Sequence, residues 1–465
     1  LLKKKLYTAL SIILYCFCST GSSAQVTFTL TEAIITAQTE QYQTNVASGS
    51  FNGFGVGGGD IWVKAAAPNT NIPVTTGTAG SSLPLNIARI KLNRIVGLNL
   101  GSSKPEITLS TTDQSIANAV VLSLGGAMYI DYRLIIAGTA WQAGSYNIPL
   151  TFSASDATSR YVSVIVPAYL TKTSNVAATA TLTVASLADF RTNGISTTQT
   201  FAYNTSVPTD INLKAGPAAI SFNANSLPNL GTPTLVASAL SSVLSGTYAG
   251  SQINLSTSDQ AISTSSGVPV QSNNTSGTFT NTLKVTSANL KANFVQAGNY
   301  IYPLTYTISK TTAAQPASLT AQTMATTATI VVPRLFEAAI PSTAVNLNFS
   351  TPANYTAGVT ATMPSPVTLS STIPYNVTVR AATDFTLNTS TIPAGVMIIE
   401  GTSTQTGVSS VTLSTAAQTL ISTSAPVIDR SVNLQFRIPN TQTVNLLNKT
   451  PGQYSADVVF TVTAP

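Results

Sequence analysis

The chain has no histidine, and its two cysteines, Cys16 and Cys18, lie inside the first 24 of 465 residues. Once that segment is removed, the remainder holds no thiol and no imidazole. No disulfide framework, no Cys or His metal site, no cysteine nucleophile and no Ser-His-Asp triad can be assembled from what is left. Stability must come from core packing and from sheet hydrogen bonds. Charge is equally sparse: 8 % of residues are Asp, Glu, Lys or Arg, against about 25 % in an ordinary soluble protein. Ser, Thr, Asn and Ala take the place of charge, so the surface is hydrated by hydroxyls and amides. The interval between Lys214 and Lys284 lacks any basic residue, which suits a protein living among trypsin-like proteases.

The first 24 residues read as a secretory signal peptide. Lys3, Lys4 and Lys5 precede an apolar run from Leu6 to Phe17, and the small-residue stretch Ser19 to Ala24 follows. Ser22 and Ala24 fit a cleavage site, so the mature chain is expected to start at Gln25. A lipoprotein signal would need a small residue before its cysteine, whereas Tyr15 and Phe17 precede Cys16 and Cys18. With the segment gone, 18 of the 21 basic residues face 15 acids, a net charge of +3. That is too little and too scattered for a nucleic-acid footprint. The longest later apolar stretch, Ala117 to Gly138, is broken by Asp131 and Arg133, so the mature chain is expected to have no integral membrane span.

What is present is a repeat. Ala143-Gly144-Ser145-Tyr146, Ala297-Gly298-Asn299-Tyr300 and Pro451-Gly452-Gln453-Tyr454 are one motif, with 154 residues between glycines 144 and 298 and again between 298 and 452. Upstream of each lies a second landmark: Leu109-Ser110-Thr111-Thr112-Asp113-Gln114, Leu255-Ser256-Thr257-Ser258-Asp259-Gln260 and Leu413-Ser414-Thr415-Ala416-Ala417-Gln418. Between the two, each copy has a strand-like segment with a basic residue: Tyr132-Arg133-Leu134, Leu283-Lys284-Val285 and Phe436-Arg437-Ile438. After each Gly-x-Tyr, apolar and polar residues alternate with period two, as in Tyr146, Ile148, Leu150 and Phe152. The spacing predicts a half-buried strand fed by a glycine turn.

Pro149 and Pro303 fall on the outward row of that strand and Asp457 takes their place in the third copy, which predicts sheet edges protected against stray pairing. A short apolar strand ending in proline, Val164-Ile165-Val166-Pro167 and Ile330-Val331-Val332-Pro333, separates adjacent repeats and has no copy after the third. Residues 171–180 and 311–327, rich in small and polar side chains, suggest linkers. With helix signals nearly absent, the expected fold is all-β, three tandem immunoglobulin-like Greek-key β-sandwiches over 25–168, 169–334 and 335–465.

Candidate chemistry is thin. A glycosidase without histidine would use paired carboxylates, and the best-placed acids are Asp113 and Asp259. The third copy replaces them with Ala417, which favours a turn-forming role. No Asp-rich calcium spacing occurs, so no metal is expected. The glycines from Gly53 to Gly59 lead into the strand-like Ile61-Trp62-Val63, which fits a hairpin loop better than a phosphate cradle, so no cofactor is expected either. Trp62 and Trp141, both in the first repeat, could stack on a glycan or fill the core. The tyrosines Tyr146, Tyr300 and Tyr454 are expected to bury their rings and satisfy their hydroxyls locally, as tyrosine corners do.

Arg437-Ile438-Pro439 followed by Pro451-Gly452-Gln453-Tyr454-Ser455-Ala456-Asp457-Val458 resembles the ending of spore coat protein U-type secreted pilus domains. The likeness covers about thirty residues of each repeat, and the cysteines usual in that family are missing. It implies surface assembly with other surface proteins or with itself, by strand donation between subunits. Val26, Phe28 and Leu30 at the mature N-terminus are the candidate donor strand, and the third repeat has the least protected edge. The expected function is that of an exported bacterial structural or adhesive protein, with no catalytic residues. The alternatives are a carbohydrate-binding array using the first repeat and, behind it, a histidine-free hydrolase. No sorting signal or hydrophobic tail follows the last strand, so retention at the surface is expected to be non-covalent.

Overall fold

A computed structural model of the chain describes residues 25–51, 59–66, 70–96, 102–118, 126–153, 160–225, 231–341 and 344–464. Residues 1–24, expected to be a signal peptide and holding both cysteines, and residues 52–58 of the glycine-rich stretch lie outside the described residues. None of the described helices is long and apolar enough to cross a membrane.

The chain is all-β, and its buried apolar side chains form three large clusters in succession along the sequence. Each cluster is sandwiched between sheets. In the first unit one sheet runs Gln25–Thr29, Arg160–Val166, Gly144–Phe152, Ile61–Ala65, Gln114–Asn118 and Ser102–Ser103, and the facing sheet runs Gln41–Phe51, Gly126–Leu134, Ala88–Val96 and Ile107–Thr108. The second unit repeats the plan, with Thr179–Thr183, Gln322–Val332, Gly298–Lys310, Thr209–Ala215 and Gln260–Ala261 in the corresponding order. In both, the first strand lies parallel to the last, Phe28 opposite Val164 and Leu182 opposite Ile330. Parallel pairing lets the N-terminal segment close the core: Val26, Phe28 and Leu30 are at most 3 % exposed, and burying such side chains is worth about 1.5–3 kcal/mol each.

Two segments expected as linkers run into strands. Leu170–Ser174 and Thr179–Thr183 are strands, and of 311–327 the last six residues belong to Gln322–Val332, the closing strand of the second unit, while 311–321 forms turns. Their Thr and Ala residues alternate with period two, and small side chains suffice because the facing tyrosines fill the space. Val164–Pro167 and Ile330–Pro333 likewise end the closing strands of their units.

The junctions between units are copies of one another. Ser206 Oγ donates to the Pro167 carbonyl at 2.7 Å and accepts from the Tyr169 N–H at 2.9 Å, while the Ala143 N–H donates to the Ser206 carbonyl at 2.7 Å. At the second junction Thr372 Oγ1 donates to the Pro333 carbonyl at 2.7 Å and accepts from Leu335 N–H at 2.8 Å, and Ala297 N–H donates to the Thr372 carbonyl at 2.7 Å. These bonds satisfy backbone groups that leave one sheet and enter the next. The third copy has Pro451 where Ala143 and Ala297 stand, and a proline has no N–H to give.

Candidate functional site

The Gly-x-Tyr strand is the axis on which the three units can be compared. Its glycine adopts φ between +147° and +153° in all three, and a Cβ on Gly298 would sit 2.5 Å from the Asn223 carbonyl oxygen, so a neighbouring strand passes where a side chain would be. Two residues on, Tyr146, Tyr300 and Tyr454 each donate their hydroxyl to a carbonyl four residues upstream, Gln142, Gln296 and Thr450, at 2.7, 2.8 and 3.0 Å. In the first two units the ring is fully buried, and burial pushes the phenol of Tyr146 up to about 12 and raises that of Tyr300 as well.

Pro149 and Pro303 correct the edge-strand expectation, because both lie inside sheets. Gly144–Phe152 pairs on one side with Arg160–Val166 and on the other with Asn71–Gly77 and then Ile61–Ala65. Pro149 sits where the second partner changes over. Pro303 sits between the stretches paired with Ser221–Asn223 and Thr209–Ala215. A missing N–H costs little where the ladder is already interrupted. The carbonyls at these positions stay in use, accepting from Ala66 and Gly216 N–H at 2.9 and 2.8 Å, and Asp457 accepts from Ala382 in the same way.

The third copy is the one that lies at an edge. Val458–Thr463 pairs with Tyr375–Ala381 on one side, and among the described residues no strand pairs with its other side. In the order of the first two units, the vacant place lies between this strand and the segment ahead of the short helix Pro352–Ala357. That segment carries Val345, Leu347 and Phe349 at period two, yet forms no ladder. Tyr454, Val458, Phe460 and Val462 share its condition: all pack on the third core and all remain partly exposed. The counterparts of the first three, Tyr146, Leu150 and Phe152, are at most 5 % exposed. The site is thus a groove one strand wide, floored by apolar side chains and rimmed by unpaired backbone groups.

The other candidate residues are placed as follows. Val26, Phe28 and Leu30 are held in the first core by their own closing strand, so the candidate donor strand is already engaged within its unit. Trp141 is fully buried and donates its indole N–H to the Ile136 carbonyl at 2.9 Å, which removes it as a sugar platform. Trp62 is 39 % exposed on Ile61–Ala65, with the Lys104 ammonium 6.0 Å from its ring. Asp113 and Asp259 pair with Lys64 and Lys214 at 3.2 and 3.1 Å. The third unit has Arg380 at the position of those lysines and Ala417 at that of the acids, so the pair is a surface tie between strand and turn. Ser110, Ser256 and Ser414 close the same turn by accepting from the N–H two residues on.

Legible beforehand were the strand, the tyrosine and the repeat. Missed was the row Val345, Leu347 and Phe349, whose signal was its own period-two alternation ahead of the helix Pro352–Ala357.

No protein-family model and no curated protein matches the chain. Among solved structures it is similar to CfaE, the adhesive subunit of CFA/I fimbria of enterotoxigenic Escherichia coli, with 12 % identity over 68 % of this chain and 99 % of that one and a TM-score of 0.29. It is also similar to the CsuC-CsuE chaperone-tip adhesion subunit complex of Csu pili of Acinetobacter baumannii (10 % identity, 62 % and 99 % covered, TM-score 0.26). A third is the CupB6 tip adhesin from Pseudomonas aeruginosa (9 % identity, 64 % and 98 % covered, TM-score 0.27). At those scores the likenesses carry no functional argument, which rests on the residues of this chain.

Proposed function

We propose that this chain is an exported, non-enzymatic surface protein, structural and adhesive, whose third unit is completed by a strand from a partner polypeptide. The observation that carries the reading is the unpaired edge of Val458–Thr463 over a partly exposed core. Unpaired N–H and C=O groups beside an apolar groove form a template for strand addition, in which the backbone gives affinity and alternate side chains give specificity.

The first two units supply a template for the missing strand. Val162, Val164 and Val166 face Ile148, Tyr146 and Gly144, and Ala328, Ile330 and Val332 face Tyr302, Tyr300 and Gly298. A fitting strand therefore carries three small or β-branched apolar residues at alternate positions, antiparallel and opposite Gly452, Tyr454 and Ala456 and running on beside Val458–Thr463, with neutral polar or apolar residues between them.

The test uses a synthetic peptide copying residues 323–332 and the chain 25–465. Saturable binding with a one-to-one end point, abolished when the peptide's counterpart of Ile330 is Asp, is expected. Equal binding of the Asp peptide, or none of either, overturns the reading. Exposed Trp62 favours a second reading, glycan binding by the first unit. Loss of glycan retention in Trp62→Ala would place it there.

A further inference from the structure

The sheet Gln41–Phe51, Gly126–Leu134, Ala88–Val96 has a counterpart in each unit, and only the first copy is decorated. In the second unit the outward positions of the three matching strands are Ser196, Thr198, Thr200, Thr280 and Thr282, with Lys284 the one charge on them and Lys172 exposed on the adjoining strand Leu170–Ser174. In the third they are Thr360, Thr362 and Gln435, plus the single pair Arg437–Glu400. The first unit carries Arg89, Lys91, Arg94, Asp131 and Arg133 on the strands, with Glu40 and Glu106 beside them. Seven of the chain's 36 charged side chains, 21 basic and 15 acidic, thus gather on one face. The sandwich does not need all of them, since the second copy keeps only Lys284 and the third only the Arg437–Glu400 pair at these positions.

The face is also ordered. Arg133 holds Glu40 through both Nε and Nη2 at 2.8 Å and Glu106 through Nη1 at 3.0 Å, and the Arg133 guanidinium is the main reason Glu40 is lowered to about 2. Glu40 in turn accepts from the Tyr42 hydroxyl at 2.7 Å, which fixes a ring that is 58 % exposed. Arg94 lies 4.1 Å from the centroid of Tyr129 and donates from Nε to Asn45 at 2.9 Å. Asp131 accepts from Asn93 at 2.9 Å and from the Asn45 N–H at 2.7 Å. Lys91 stands exposed one strand away, opposite Asp131 in register, with no ion pair among the described residues.

We infer that this face of the first unit is a binding surface for an anionic polysaccharide. Tyr42 offers an apolar ring face to a sugar, the fixed Asn and Asp groups offer planar hydrogen bonding, and Lys91 and the free edge of Arg94 supply positive charge on a face whose four cations outnumber its three acids. A protein partner would require an apolar centre that water can be driven from, and the described outward positions of this face carry no aliphatic cluster. The inference rests on the adhesive part of the proposed function and is independent of strand completion.

The test is retention of the chain 25–465 on oligogalacturonate, dextran sulfate and neutral dextran at low ionic strength. Binding to either anionic polymer and not to neutral dextran is expected, the two arms telling carboxylate from sulfate. Lys91→Ala with Arg94→Ala should weaken it roughly tenfold or more, Tyr42→Ala should weaken it severalfold, and Lys284→Ala should leave it unchanged. Circular dichroism checks that the variants, altered only at exposed positions, stay folded. Retention by none of the polymers, equal retention by neutral dextran, equal loss in Lys284→Ala, or binding to poly-glutamate that Tyr42→Ala does not touch each overturns the inference. Failure here with intact peptide binding at the third unit would leave the strand reading standing.

Discussion

The third unit and the first two share a strand, a tyrosine and a turn, and differ in what closes the core. Where Arg160–Val166 and Gln322–Val332 close the first two cores, nothing described closes the third. The consequence is graded along matching residues: Tyr300, Leu304 and Tyr306 are at most 1 % exposed, whereas Tyr454, Val458 and Phe460 are half-buried. One strand decides whether the same alternating pattern is a core or a groove, because a sheet face is dry only when its neighbours on both sides are in place.

The largest effect should come from removing a closing partner where one exists. Deleting residues 25–31 takes Val26, Phe28 and Leu30 from the first core, a loss of roughly 5 kcal/mol or more. Calorimetry should show the first unit unfolding separately while the others keep their transitions. An unchanged thermogram would contradict the packing described above.

The converse experiment adds what the third unit lacks. A copy of residues 323–332 appended after the last residue through a flexible linker should bury three apolar side chains and raise the third unit's midpoint by roughly 10 °C. The same graft with Asp at the Ile330 counterpart should return it to the starting value.

Acid should separate the units by a smaller amount. The Arg437 guanidinium holds Glu400 down to about 2, and Arg133 holds Glu40 there also. A carboxylate whose folded value is lowered contributes stability that is complete above its ordinary value of 4.5 and is lost as pH falls towards 2. The first and third units should therefore weaken over that window. The second has Lys284 at the position of Arg133 and Arg437, without an ion pair among the described residues, and should respond less. Arg437→Met should flatten the third unit's acid response, as read by fluorescence-detected unfolding at stepped pH.

The smallest contrast concerns the tyrosine hydroxyl. Tyr300→Phe leaves the Gln296 carbonyl without its donor inside a dry core and should cost about 1 kcal/mol. Tyr454→Phe acts beside water and should cost about half that or less, measured by urea unfolding.

Much of this was legible in the residues. Period-two alternation after Gly144, Gly298 and Gly452 marks the strand, and Gly-x-Tyr with its local hydroxyl bond follows from a turn entering a core. Pro149 and Pro303 misled because a proline in a strand usually signals an edge, and the change of partner that tolerates it depends on distant segments such as Asn71–Gly77. Residues 171–180 looked like a linker because Thr and Ala carry little hydrophobic signal, although a tyrosine-filled core needs no more. The parallel pairing of first and last strands joins residues about 140 apart, and no local pattern reports it. Once it is seen, Val26, Phe28 and Leu30 are recognised as a row that the closing strand Arg160–Val166 holds in the first core.

Hydrogen exchange of the backbone amides puts the central claim to its most direct trial. In the chain alone, amides of 458–463 that face away from Tyr375–Ala381 should exchange orders of magnitude faster than those of 298–310, and should become protected when the peptide copy of 323–332 is added. Amides there that are as slow as those of the second unit before any peptide is present would contradict an open third unit.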